Sequence, residues 1–297
     1  MSRAANALIG AYVADAATLG VHWLYDPGRI KALGTALWRA PDPADFEGAK
    51  GIFVHHGKGA GEISQYGAQM RIMGRALAKG VFDPGTYADE IIAAFGPGGW
   101  WHGYIDKATK GTLAHIASGK FPTGADDDQI PALSGLPALV ATGATPETCA
   151  LAGACFSDTA TTAAYAPAAT EALRAVMAKD SIAEALARGV GAAGPLAQDA
   201  LAAALTSDAD PIAYAGEVGR ACPLPQALPV AFHIASCAHS YTQAIEINAR
   251  VGGDNCGRAI FLGALFGAND PPPPLWVARL ADGPALAKEI DKLALIR

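Results

Sequence analysis

The 297-residue chain is poor in charge. Only 17% of its residues are Asp, Glu, Lys or Arg, and their balance is acidic, with a formal net charge of −6 at pH 7. No basic stripe with interleaved aromatic side chains offsets that balance, which argues against a nucleic-acid polymer as partner. The five cysteines (Cys149, Cys155, Cys222, Cys237 and Cys256) are odd in number and form no CxxC pair. That argues against a disulfide framework and a zinc cluster, and leaves them as small core residues. Runs of Val, Ile, Thr and aromatic residues are nearly absent, while alanine dominates the 51% hydrophobic share. An all-α fold is therefore expected. No apolar run approaches the ~20 residues that crossing a bilayer requires. The stretch 4–20 is interrupted by Asp15, and no cleavage-like segment follows it. The expectation is a cytoplasmic chain without a membrane partner.

What is present is concentrated in VGGDNCGRAIFLGALFGA, residues 251–268. Gly252 and Gly253 free the backbone for a close approach, and Asp254 is placed to cap or begin the apolar helix that follows. Such a helix start can hold an anion, or present a carboxylate to a cation or a water. On that helix Asp254 and Arg258 are four apart, the spacing of an ion pair.

The remaining periodicities spell further helices. Over 3–20, Leu8, Tyr12, Asp15 and Leu19 share one stripe, so Asp15 needs a partner or a proton. The turn at Tyr25, Asp26, Pro27 and Gly28 leaves His22 and Trp23 just past the helix end, at an expected pocket rim. GIFVHHGKGAGE looks superficially like a phosphate loop. It fails, because five residues separate Gly51 from Gly57 and Lys58 precedes glycine. This loop leads into a helix with a stripe of Tyr66, Met70, Met73 and Leu77, whose start carries Ser64, Gln65 and Tyr66. Helices are also expected over 86–95 and 104–118. Trp100 and Trp101 between them read as core anchors, and Asp126, Asp127 and Asp128 as a solvated turn. Residues 133–217 read as alanine-rich helices broken at Gly143, Pro146, Pro167, Asp180, Pro195 and Asp208. Helices at 225–238 and 240–249 follow, with His233 as a bonded core histidine. A proline-rich connector (269–284, stiff and extended at the four prolines 271–274) then leads to a terminal helix, 285–296. With no long linker and no fixed-period repeat, one domain over 1–297 is expected.

The segments GAYVADAATLGVHWLYD, GAGEISQYGAQM and GGDNCGRAIFLGALFGA, in this order, resemble the ADP-ribosylglycohydrolase family. They are most similar to its crystallin J1 branch, with its HW-YD, YG-Q and GGDN-x-x-R signatures. The resemblance implies an orthogonal helical bundle with a central cleft. In active members it implies two Mg²⁺ ions, held by a Thr-Asp-Asp run at an early helix start and an Asp-x-Asp-Thr run at a late one, and hydrolysis at the ribose anomeric carbon. Here Ser64, Gln65 and Tyr66 occupy the early run, and Cys256 and Gly257 replace the second aspartate and the threonine of the late one. The cleft is therefore expected to work without metal, or to hold at most one weak Mg²⁺ on Asp254. The expected catalytic pair is Asp15 and Asp254. His22, Trp23, Ser64, Gln65, Tyr66, Gln69, Asn255 and Arg258 are expected to meet an ADP-ribose-like or riboside ligand, with Arg258 neutralising Asp254. The competing reading is a non-catalytic ADP-ribose or nucleotide binder, or a structural, crystallin-like protein. A serine hydrolase is disfavoured, because no GxSxG elbow is present.

Overall fold

The computed structural model describes residues 2–294. Among them the chain is 64% helical and forms no strand. Helix α1 (Arg3–Thr18) runs into a 3-10 turn at Leu19–Val21, and α2 (Pro27–Ala32) follows. A long loop leads to α3 (Gln65–Leu77), α4 (Pro84–Phe95) and α5 (Lys107–Ala117). The middle of the chain holds α6 (Leu136–Ala141), α7 (Pro146–Ala154), α8 (Ala160–Met177), α9 (Ile182–Ala192), α10 (Pro195–Thr206) and α11 (Pro211–Val218). Then come α12 (Leu224–Cys237), α13 (Tyr241–Val251), α14 (Asn255–Asn269), α15 (Pro274–Val277) and α16 (Gly283–Ala294). Side-chain caps begin many of them. Ser64, Asp83, Asp106, Thr159 and Ser240 each accept a first-turn N–H, and proline opens α4, α7, α10 and α11.

The centre of the bundle is the pair α1 and α14, and small residues make it tight. A Cβ on Gly10 would lie 2.4 Å from the Gly263 carbonyl oxygen, and one on Gly263 would lie 2.6 Å from Cβ of Ala14. Only glycine permits that approach, and the Tyr241 hydroxyl closes it by donating to the Gly10 carbonyl at 2.6 Å. The core built on this pair is continuous from Ala4 to Leu293. Asp15 sits near the end of α1 and Asp254 at the start of α14, so the pair fixes where both carboxylates lie.

Three expectations change. Residues Arg3–Val21 form a continuous 19-residue helical run of mean hydropathy 1.3, long and apolar enough by composition to span a bilayer, yet 94% buried inside the fold. Pro167 lies inside α8 and does not end it. The Ala164 carbonyl near that proline takes the Gly194 N–H at 2.9 Å, and Ala163 is exposed to water, so the interrupted helical bonding is made good. The proline run is not extended throughout, because Pro274 opens the short helix α15. The end of the expected terminal helix, 295–296, lies outside the described residues.

Candidate functional site

Asp15 is fully buried, and its partner is the start of α3. Its Oδ2 accepts from the Ser64 N–H at 2.8 Å and its Oδ1 from the Ser64 hydroxyl at 2.5 Å. Ser64 Oγ in turn accepts from the Tyr66 N–H at 3.1 Å. The carboxylate reaches this position because residue 67 is glycine, where a Cβ would stand 2.4 Å from Oδ2. Burial pushes the Asp15 carboxyl up from 3.8 to about 7, against the two Ser64 bonds. The next residues of α3 turn toward α5. Gln65 donates to Thr109 Oγ1 at 2.8 Å and accepts from the Asp106 N–H at 2.6 Å, and Gln69 donates to the same Thr109 oxygen at 2.9 Å.

The α14 start has a parallel arrangement. Gly252 and Gly253 hold φ of 72° and 68°, in the region that glycine favours, and turn the chain so that the Asp254 N–H meets the Arg220 carbonyl at 2.8 Å. Asp254 stands at the N-cap position, but its side chain makes no capping bond. Instead Oδ1 accepts the Tyr66 hydroxyl at 2.7 Å and the Trp23 indole N–H at 3.1 Å. His22 Nε2 lies 3.6 Å from the same oxygen. Oδ2 is buried without a hydrogen-bond partner, and a Cβ on Gly257 would stand 2.4 Å from it. Trp23 reaches Asp254 from a backbone φ of 63°, a strained value for a bulky residue.

The structure thus brings Asp15, Ser64 and Tyr66 together, and Tyr66, Trp23, His22 and Asp254. Asn255 supports the second set. It donates to the Thr18 carbonyl at 2.9 Å, and its Oδ1 faces His22 Nδ1 at 3.2 Å. Arg258 corrects the sequence reading. It is fully buried, yet it forms no ion pair with Asp254 among the described residues. Its donors go to Asn248 Oδ1 at 2.9 Å, the Gly252 carbonyl at 2.5 Å and the Arg220 carbonyl at 3.3 Å. Helical spacing places the two residues on one side of α14, but the inward turn at 252–253 offers the guanidinium carbonyls at closer range. Arg258 acts on Asp254 through space, pulling its carboxyl down against the larger upward push of burial.

Burial dominates the rest of the electrostatics. The Asp254 carboxyl is raised by burial, with the Tyr66 bond, the Arg258 charge and the Trp23 bond opposing. Burial lowers His22 to about 3 and His55 to about 2, so both rings are neutral near pH 7. His22 and Trp23 line no open rim: they are 2% and 9% exposed.

His55, which with His56 could be expected from the sequence to line a pocket, is buried against the cluster, while sequence reasoning missed three participants: Asp106, Asp127 and Arg220. His55 comes down from the 51–62 loop and lies against His22 with ring centroids 5.1 Å apart and planes tilted by 44°, its Nε2 buried and unpartnered. Asp106 caps α5 with Oδ1 while its buried Oδ2 is unpartnered. Asp127, expected in water, is 6% exposed and lies 3.8 Å from Lys107. Arg220 supplies the carbonyl that receives both Asp254 and Arg258. An aspartate before a helix was a readable signal for Asp106, whereas nothing in the local sequence marks Arg220.

The model of the family described as ADP-ribosylglycohydrolase matches residues 1–296. The chain belongs to the ADP-ribosylglycohydrolase family. A solved structure described as an ADP-ribosylglycohydrolase-related protein complex is similar over 99% of this chain and 98% of its own, with a TM-score of 0.79 at 16% identity. At that identity the likeness establishes the fold, all-α as expected. No curated protein sequence matches the chain. Membership in a glycohydrolase family supports a hydrolase-type function in general terms.

Proposed function

We propose that this protein hydrolyses an N- or O-glycosidic bond at the ribose of an ADP-ribose-like ligand or simpler riboside. Asp254 is the acting carboxyl group, and no pair of divalent cations takes part. The observation that carries this reading is Asp254 Oδ2, buried and unpartnered while Oδ1 receives two donors. An unpaired oxygen in apolar surroundings favours the protonated acid, and a buried polar atom left unsatisfied is a stability cost that a purely structural residue has no reason to carry. A protonated carboxyl is the form that gives its proton to a leaving nitrogen or oxygen as the bond to the anomeric carbon breaks. Water then takes that carbon, and its surplus proton restores Asp254.

The donor set does not suit two Mg²⁺ ions. Tyr66 and Trp23 present hydrogen-bond donors to Asp254, Gln65 is bound to Asp106 and Thr109, and both Asp15 oxygens are held by Ser64. Among the described residues no group of three or more His, Cys, Asp or Glu side chains is arranged to hold a metal ion. Hard cations need several anionic or neutral oxygen ligands. In this reading Asp15 acts through Ser64 and Tyr66 as a positioning residue. Entry of substrate requires the 51–62 loop, with His55 against His22, to move aside.

The test is release of ADP-ribose or ribose from ADP-ribosyl-arginine, ADP-ribosyl-serine and simpler ribosides, with and without EDTA. Turnover that survives EDTA and falls about 10²–10⁴-fold in Asp254→Asn is expected. Turnover abolished by EDTA refutes the metal-free mechanism. A second reading, a non-catalytic binder or crystallin-like structural protein, is favoured by the enclosure of the cluster, since Asp254 and Asn255 are 0% exposed. A thermal shift with ADP-ribose and no turnover on any substrate selects the binder.

A further inference from the structure

Tyr25, Lys50, Gly51, Arg220 and Gln226 line a cavity of about 450 Å³ between the 50–52 segment and the end of α11. It adjoins the Asp254 cluster through one layer of chain. The Arg220 carbonyl binds the Asp254 N–H at 2.8 Å, and the Lys50 carbonyl binds the Tyr25 N–H at 2.7 Å. We propose that this cavity binds the phosphate group of a small phosphorylated ligand, held between the Arg220 guanidinium and the Lys50 ammonium.

Three observations point to an anion of that kind. The charged residues lining the cavity, Lys50 and Arg220, are both cationic. Arg39 is neutralised by Asp45 and Arg71 by Asp282 and Glu289, whereas among the described residues no ion pair serves Lys50 or Arg220, two cations that share one cavity. Arg220 is also under-satisfied: one terminal nitrogen donates to the Ile212 carbonyl at 2.8 Å, while Nε is buried without a partner. Arg258 adds to the need for an anion, because its buried guanidinium feels the Arg220 charge. A phosphate carries charge enough for two cations and offers several acceptors in the geometry a guanidinium fits. The Tyr25 hydroxyl and the Gln226 amide supply neutral donors on the same lining.

Assigning this phosphate to the ligand cleaved at Asp254 rests on the function proposed above. Phosphate binding itself does not, and the test separates the two. Isothermal titration at fixed ionic strength with inorganic phosphate and pyrophosphate is expected to give saturable binding to the wild-type protein. Arg220→Gln and Lys50→Gln should each weaken it by about tenfold or more, as loss of a charge-assisted bond requires. Lys50 is exposed, so its substitution leaves the fold intact even if Arg220→Gln does not. Succinate titrated in parallel should bind more weakly, and equal binding would reassign the site to carboxylates. Absence of saturable phosphate binding, or wild-type affinity in Lys50→Gln and a folded Arg220→Gln, overturns the proposal. Either result leaves the hydrolysis assay at Asp254 to be read on its own.

Discussion

The Tyr66 hydroxyl donates to Asp254 Oδ1 across 2.7 Å, joining the first turn of α3 to the first turn of α14 over 188 positions of sequence. That bond links the carboxylate held by Ser64 to the one with a free oxygen.

Replacing Tyr66 with phenylalanine removes the donor and leaves Trp23 alone on Oδ1. A buried hydrogen bond lost in this way costs about 1–3 kcal/mol, readable as a lower urea midpoint. The Tyr66 bond also opposes the rise of the Asp254 carboxyl, so its loss moves that group further up. An acid acts below its pKa. The alkaline limb of kcat/KM is therefore expected at higher pH in Tyr66→Phe, and an unmoved limb would remove Asp254 from the role of acid.

Gly67 and Gly257 both stand in the first turn of their helices, and each has a carboxylate oxygen 2.4 Å from where a Cβ would be. Elsewhere in a helix, glycine to alanine gains up to about 1 kcal/mol. Here Gly67→Ala and Gly257→Ala should destabilise by about 1–3 kcal/mol through overpacking. Gly191 in α9, where an added Cβ meets nothing within 4 Å, is the control and should not lose stability on substitution. Equal melting shifts at all three positions would contradict the crowding.

Asp15 makes stability depend on pH in a direction opposite to the usual carboxylate. Its pKa rises from 3.8 to about 7 on folding, so the unfolded chain releases this proton first as pH climbs. The contribution is whole below pH 3.8 and is lost as pH passes 7, a change on the order of 4 kcal/mol. In Asp15→Asn, the stability curve from urea unfolding between pH 4 and 8 should lose that downward component. Parallel curves for the two proteins would argue against a buried, proton-retaining Asp15.

His22 and His55 act on the acid side. Both are held neutral by burial, near 3 and 2, against an ordinary value of 6.5. Their contribution is complete above pH 6.5 and fades as pH falls toward those folded values. Unfolding near pH 5 should therefore take up about two more protons in the wild type than in a His22→Gln, His55→Gln double variant. Calorimetry in buffers of different ionisation enthalpy measures that difference, and equal uptake would place both rings in water.

The helices were readable because alanine, capping residues and prolines mark them locally, as Ser64 and Pro84 do. Asp15 announced its need for a partner by sitting on an apolar stripe, and the structure supplies Ser64. The destination of Arg258 was not readable. Spacing of four suggests Asp254, but the choice is made by carbonyls at Gly252 and Arg220, whose direction depends on a turn and on a segment 38 positions away. Asp127 fails for the same reason: three aspartates in a row look solvated until tertiary packing encloses the middle one.

The close pairing of α1 with α14 also sets a timetable. The ribosome delivers α1 first and its glycine-lined partner some 240 residues later, an interval on the order of tens of seconds at ordinary synthesis rates. Throughout it, a 19-residue apolar helix lacks the partner against which it packs most closely. The apolar face of α1 that α14 covers therefore stays open until α14 emerges, and the bond between Tyr66 and Asp254 cannot form before then.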